Sequence, residues 1–331
     1  MQQNNKAIKR LVTLIKLAIP DNVKILYYLM NLLSLGREAV YRRLRGEVMF
    51  NMDELIKISN DLNISLDDII NHQKKDAKNA SFETKMIISD NLENTLKKVA
   101  ESYIELHKVA RQSTNAKLII ASNMIPFQLF LEYKTLAKVA SYKWLYQTKA
   151  IEHKLPFSEY KISDEIANLV HEFIKESKTI DTEYIFDCNT FTSYIKDIVF
   201  FSKLKLITKP EVILLKKDLL DLINNLETKA AKGSLGTSSK ISVYISSINI
   251  ESSCSLIKSD NSQIAHFRVY GIGGITSFDS QLLEVHQIWI ESMKRYSILI
   301  TGSADLIRKE YFNEQRKAVE IMLGEDTTSD D

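Results

Sequence analysis

The chain has 331 residues, 44 basic against 42 acidic, and 45% hydrophobic residues, which suits about two ordinary globular domains and excludes a disordered or strongly basic polymer. Nine glycines and four prolines amount to about 4% of the chain against a typical ~12%, so helices are expected to predominate. The two cysteines, Cys188 and Cys254, are far apart and form no metal or disulfide framework, a usage that fits a reducing compartment; the expected location is cytoplasmic.

At the N-terminus, basic residues precede an apolar stretch, but Lys16 interrupts it and no small-residue cleavage site follows, so a signal peptide is not expected. Ile8, Leu11, Val12 and Ile15 recur at helical spacing and predict a first helix over 5–19, closed by Pro20. A second helix over 22–33 is largely apolar and therefore buried. Ser34-Leu35-Gly36 breaks the chain before a third helix, Arg37–Arg45, which Gly46 closes. A fourth opens at Asn51 with Glu54 three residues on, a capping-box spacing. A fifth opens at Ser65, with Asp67 and Asp68 in its first turn. Residues 1–71 are thus expected to form a five-helix domain, and 72–81 a polar linker.

Over 82–232 a helical region is predicted. Leu92, Leu96, Val99, Tyr103 and Leu106 alternate four-three over about two heptads, which suits either a dimerisation seam or packing within the same domain. Further helices are expected over 126–148, 163–177, 189–204 and 209–231. The uncharged run Leu118–Leu131 is too short to cross a bilayer, and no membrane partner is expected. Beyond Gly233 the apolar period becomes that of strands at 241–248, 253–258, 263–270 and 296–301, with helices at 278–294 and 305–323. Residues 233–331 are read as an α+β portion with a small antiparallel sheet. The predicted fold class is therefore mainly α, with a helix-turn-helix domain first.

Four of ten arginines, Arg37, Arg42, Arg43 and Arg45, fall within nine residues. Elsewhere the chain draws its positive charge from lysine, so this shift points to planar acceptors that a guanidinium matches. On a helical wheel Val40, Tyr41 and Leu44 share one face, while Glu38, Arg42 and Arg45 lie toward the opposite side. A DNA major groove admits one such helix, and arginine pairs bidentately with guanine or with phosphate. In this arrangement Arg37, Glu38, Arg42 and Arg45 face the groove, Tyr41 and Arg43 contact the backbone, and Val40 and Leu44 anchor the helix. Glu38 suits a cytosine amino group or an ion pair with Arg42.

Gly46, Glu54-Leu55-Ile56-Lys57-Ile58 and Leu62-Asn63-Ile64-Ser65-Leu66-Asp67-Asp68-Ile69 together resemble the later half of the Cro/phage-repressor-like, xenobiotic-response-element type of helix-turn-helix domain. Val40-Tyr41-Arg42-Arg43-Leu44-Arg45-Gly46-Glu47 is similar to a variant found in long bacterial regulators with a helical and mixed C-terminal region. Gly36 stands where that family commonly caps its recognition helix with Ser or Thr. The resemblance covers about a ninth of the chain and implies transcriptional regulation through double-stranded DNA. Pairing on two half-sites makes a homodimer the expected state. The alternative is an interaction or assembly module that keeps the fold without binding DNA.

The six histidines show no ligand spacing, and no nucleophile elbow or phosphate loop is present. No catalytic residue, cofactor or metal is expected, and the chain is not read as an enzyme. Gly271-Ile272-Gly273-Gly274 reads as a turn, with an anion-holding helix start as the alternative. Tyr133, Tyr142, Trp144 and Tyr146, with Lys143 between them, suit core packing, the lining of a pocket for an unidentified small-molecule or protein effector, or stacking on bases. Trp289 is expected to pack against the sheet.

Overall fold

The computed structural model describes residues 8, 11–15, 19, 24–62, 83–84, 92–111, 113, 115–152, 154–236, 238–260, 263–269 and 271–324. The chain divides into two units, Met1–Asn79 and Ala80–Asp331.

In the first unit residues 11–15 are helical, followed by α1 (Ile25–Leu33), α2 (Arg37–Leu44) and α3 (Met52–Leu62). Leu11, Ile15, Leu29, Leu33, Val40, Phe50 and Ile58 form its core. Ser34 closes α1 in the left-handed conformation at φ 53°, so two helices follow one another across a three-residue turn. Gly36 begins α2 without a side-chain cap. The expected set of five helices is not what the described residues contain; the segment opening at Ser65 lies outside them.

The second unit overturns the prediction of a helical region followed by a small antiparallel sheet. Its elements are β1 (Glu83–Thr84), α4 (Leu92–Arg111), β2 (Lys117–Ser122), α5 (Phe127–Phe130), α6 (Lys134–Gln147), α7 (Asp164–Ser177), β3 (Asp181–Phe186), α8 (Thr192–Lys203), α9 (Lys209–Lys232), β4 (Ile241–Ser246), β5 (Cys254–Lys258), β6 (Gln263–Val269), β7 (Gly273–Ser277), α10 (Ser280–Arg295), β8 (Ser297–Leu299) and α11 (Asp305–Met322). All eight strands join one sheet in the order β1-β7-β6-β5-β2-β3-β4-β8. Its centre is parallel, β2 on β3 and β3 on β4, while the remaining pairs are antiparallel. Two central strands therefore come from the stretch predicted to be helical.

Both faces of the central strands β2 and β3 are covered, which removes the alternation that would mark them as strands. Leu118, Ile120, Tyr184 and Phe186 enter the larger core beneath α6, α8, α9 and α11. Their neighbours Ile119, Ala121 and Ile185 enter a second core closed by Leu283, Ile290 and Met293 of α10. A strand buried on both faces carries no polar alternation, so its sequence lacks the signal that marks a half-exposed strand. Glu183 is the exception in β3: its buried carboxylate accepts from Lys117 Nζ and Lys294 Nζ, each at 2.7 Å, tying the sheet to α10. Burial alone would raise this carboxyl, and the two lysines outweigh that and hold it below the ordinary value.

Local signals were more legible where helices begin and end. Thr208 and Glu211 form a capping box at α9, Pro210 lies in its first turn, and Gly233 ends it at φ 68°. Asp279 caps α10 by accepting from the Gln281 and Leu282 backbone N–H groups. The single helix expected over 126–148 is broken between α5 and α6. The four-three seam is used inside its own unit: Leu96, Val99 and Leu106 pack against the larger core, and the Tyr103 ring meets Phe127 and Phe173 edge-on at 5.6 and 6.0 Å.

Candidate nucleic-acid interface

Helix α2 is fixed by one buried side chain, Val40. Around it the four arginines divide into two kinds. Arg43 points inward. Its Nε donates to Glu54 Oε2 and its Nη2 to Glu54 Oε1, both at 2.8 Å, and its Nη1 donates to the Ala39 carbonyl at 3.2 Å. The two side chains are only 15% and 10% exposed. Glu54 is also the third residue of the α3 capping box, accepting from Asn51 N–H at 3.0 Å while Asn51 Oδ1 accepts from Glu54 N–H at 2.8 Å. One carboxylate thus caps α3 and locks α2 to it. Desolvation would raise the Glu54 carboxyl, but the hydrogen bonds from Arg43 and Asn51 and the nearby charges of Arg43 and Lys57 hold it below the ordinary glutamate value.

The role sketched for Arg43 from sequence, a contact to the DNA backbone, therefore does not match where its guanidinium sits. Its partner lies eleven residues on and leaves no periodic trace; the only legible part was the Asn51–Glu54 spacing.

Arg37, Arg42 and Arg45 are on the surface. Arg37 lies over the Tyr41 ring at 5.6 Å from its centroid, and hydrogen bonding to Tyr41 raises its guanidinium above the ordinary value. Gly46, at φ 77°, turns the chain so that Glu47 N–H returns to the Arg42 carbonyl at 2.9 Å. The Glu47 carboxylate then stands 3.7 Å from Arg42 Nε and 3.2 Å from Arg45 Nε. Glu38 lies 3.5 Å from Arg45 Nη2. It does not form the Glu38–Arg42 pair that the sequence spacing allowed. More than half of the Arg42 and Arg45 side-chain surface remains open, where such exposed pairs are weak and readily exchanged. The exposed face thus offers three guanidinium groups, two of them loosely held by acids that sequence reading did not connect to them.

Gly271–Gly274 is a β-hairpin turn: Gly271 takes φ 82° and Gly273-Gly274 start β7, so no helix begins there and the anion-holding alternative is lost. Tyr142 is fully buried and Trp144 nearly so. Trp289 is 37% exposed and stacks on His286, whose ring in turn meets Phe267 of the sheet. Among the described residues no group of three His, Cys, Asp or Glu side chains is placed to hold a metal ion, and no helix is long and apolar enough to cross a membrane. The chain matches no protein-family model, no curated protein sequence and no solved structure.

Proposed function

We propose that the chain is a sequence-specific double-stranded-DNA-binding transcriptional regulator, with α2 as its recognition helix. The observation that carries this reading is the division of labour on α2. Val40 and the Arg43–Glu54 clamp hold the helix rigidly after the α1 turn, while Arg37, Arg42 and Arg45 stay on the surface. A pre-positioned guanidinium row is what base edges and phosphates recognise, and α1–turn–α2 supplies the helix-turn-helix geometry. Glu38 and Glu47 release their arginines to phosphate at little cost, because exposed ion pairs are worth about 0–1 kcal/mol.

The regulator acts as a homodimer on two half-sites. Its contact is placed on α10, whose outward stripe Val285, Ile288 and Trp289 is exposed, with Tyr296 beyond its end. Beside that stripe, β8 is the edge of the sheet and exposes Ile298 and Leu299. A two-fold axis there pairs β8 with its own copy and α10 with α10, covering an edge and an apolar stripe at once.

A second reading, an interaction module with this fold that does not bind DNA, draws on Met49, Met52 and Ile56, which are exposed in the first unit. In vitro selection of bound duplexes decides between them. The regulator reading requires an enriched, two-fold-related site with steep salt dependence; the module reading requires no enrichment.

A further inference from the structure

The second unit contains two adjoining cavities. One, of about 90 Å³, lies among α4, α5, α6 and α7 and is walled by Leu96, Val99, Phe127, Val170 and Phe173. The polar side chains at its wall are already engaged: the Tyr103 hydroxyl sits 2.8 Å from His266 Nε2, and Ser141 Oγ donates to the Ala137 and Lys138 carbonyls. Such a space favours an apolar group, as cavities lined by hydrocarbon and aromatic side chains do. Ala140 and Ile272 belong to its wall and also to that of the second cavity, of about 60 Å³.

The second cavity is lined by Lys143, Trp144, Ser193, Asp197 and Arg268. Its charges are unequal. Lys143 Nζ lies 2.6 Å from Asp197 Oδ2 and answers that carboxylate. Arg268 spends its Nε–H on the Gly271 carbonyl at 2.6 Å, and its guanidinium carbon lies 4.0 Å from the Phe127 ring centroid. Among the described residues no carboxylate is within ion-pair distance of it. Burial pushes this guanidinium below the ordinary arginine value, and the fields of Tyr103, Tyr194 and Asp197 offset that only in part. A partly buried guanidinium fixed at its Nε, with no carboxylate partner among the described residues, is a built receptor for one carboxylate.

We propose that these adjoining cavities bind a small monocarboxylate, its apolar body between α4 and α7 and its carboxylate on Arg268. The two volumes limit the body to about the size of a benzene ring or a short alkyl chain. Ile272 and Ala140 lie where body and head join, and the Gly271 turn sets the position of the charge. A ligand of this kind bridges the α4–α7 layer to the β6–β7 hairpin, adding to the contacts Tyr103–His266 and Phe127–Arg268.

Isothermal titration of the full chain tests this, with 3-phenylpropionate and hexanoate against the alcohols of the same skeletons. The acids are expected to bind about tenfold or more tightly than the alcohols, the scale of a charge-assisted contact. Arg268→Gln is expected to erase that preference while leaving alcohol affinity in place, and Arg268→Lys to retain part of it. Val170→Phe is expected to abolish binding of both. Equal binding of acid and alcohol, a preference that survives Arg268→Gln, or no binding of either acid by the wild-type chain overturns the proposal. No DNA is present in the titration, so its outcome is independent of the recognition-helix proposal.

Discussion

Arg43 and Glu54 face each other through two hydrogen bonds of 2.8 Å, joining α2 to α3, the helix that follows it. Breaking one side of a largely buried pair leaves the other charge unanswered, at a cost of about 3–5 kcal/mol. Arg43→Ala and Glu54→Ala are each expected to lose about 3 kcal/mol of stability in the first unit, read by urea unfolding. The double variant is expected to lose less than the two single losses combined. Full additivity would show that the pair does not act as one element.

Arg42 and Arg45 should behave in the opposite way. Their partners are exposed, so alanine at either position is expected to change stability by no more than about 0.5 kcal/mol. On a selected duplex each is expected to cost about 1–3 kcal/mol of affinity. If the contact is to phosphate, the slope of log K against log salt falls by about one; if to a base, specificity relaxes at one position. Fluorescence anisotropy across a salt series separates these. Unchanged affinity and slope in both variants sinks the assignment of α2 to the groove.

The arginine cluster of α2 was readable because arginine is scarce in this chain, so a local group stands out against lysine. The clamp was not readable, since Arg43 and Glu54 meet through a turn of tertiary structure. The central strands were hidden for a related reason. KLIIAS and DTEYIF are buried at nearly every position, so neither shows the alternation of a half-exposed strand, and segments this short cannot be told from helix segments by period alone. After Gly233, β4, β5, β6 and β8 kept enough alternation and punctuation to be placed to within a few residues, whereas β7, which follows the Gly271 turn directly, was not foreseen. Arg268 was invisible as a site residue because its surroundings come from α5, α6, α8 and the β6–β7 turn, four elements far apart in sequence.

Acid should act in two windows, an upper one set by buried histidines of the second unit and a lower one that Glu54 sets in the first unit and Glu183 in the second. His107 is buried, its Nδ1–H donates to the Tyr103 carbonyl at 2.8 Å, and its Nε2 has no hydrogen-bond partner among the described residues. Burial, opposed by that hydrogen bond and by Glu176, holds it below the ordinary value of 6.5; His286 is likewise lowered by burial. The unfolded chain therefore binds protons that the folded one refuses, and stability of the second unit falls as pH drops below 6.5. Glu54, held below the ordinary 4.5, gives the first unit stability that is complete above 4.5 and is lost as pH falls through its folded value. Urea midpoints against pH should show both. His107→Leu is expected to flatten the upper window, and further with His286→Leu; Glu54→Gln is expected to flatten the lower one in the first unit.

The α10 stripe makes a prediction about assembly. Val285 and Ile288 are 65% and 60% exposed, so Val285→Glu with Ile288→Glu removes no core contact and is expected to leave the unfolding temperature almost unchanged. In sedimentation the wild-type chain is expected as a dimer and the variant as a monomer. On a two-half-site duplex the variant should bind more weakly, while on a single half-site it should match the wild type. A wild-type monomer, or a variant that stays dimeric, removes α10 and β8 from the interface.

Gly274 is the last residue that the fold singles out. It pairs across the hairpin with Arg268, and a Cβ there would stand 1.9 Å from His266 Cε1, well inside van der Waals contact. The imidazole cannot simply swing aside, because it is tied to the Tyr103 hydroxyl at 2.8 Å and to Thr276 Oγ1 at 3.2 Å. Gly274→Ala must therefore break the link between α4 and the sheet or push the strands apart, an overpacking cost of about 1–3 kcal/mol. Removing the ring's bulk should relieve the clash: Gly274→Ala combined with His266→Ala is expected to lose less than the two single changes together. Calorimetric unfolding of the four chains measures this coupling, and simple additivity would mean that the glycine is required for its backbone rather than for the space it leaves to His266.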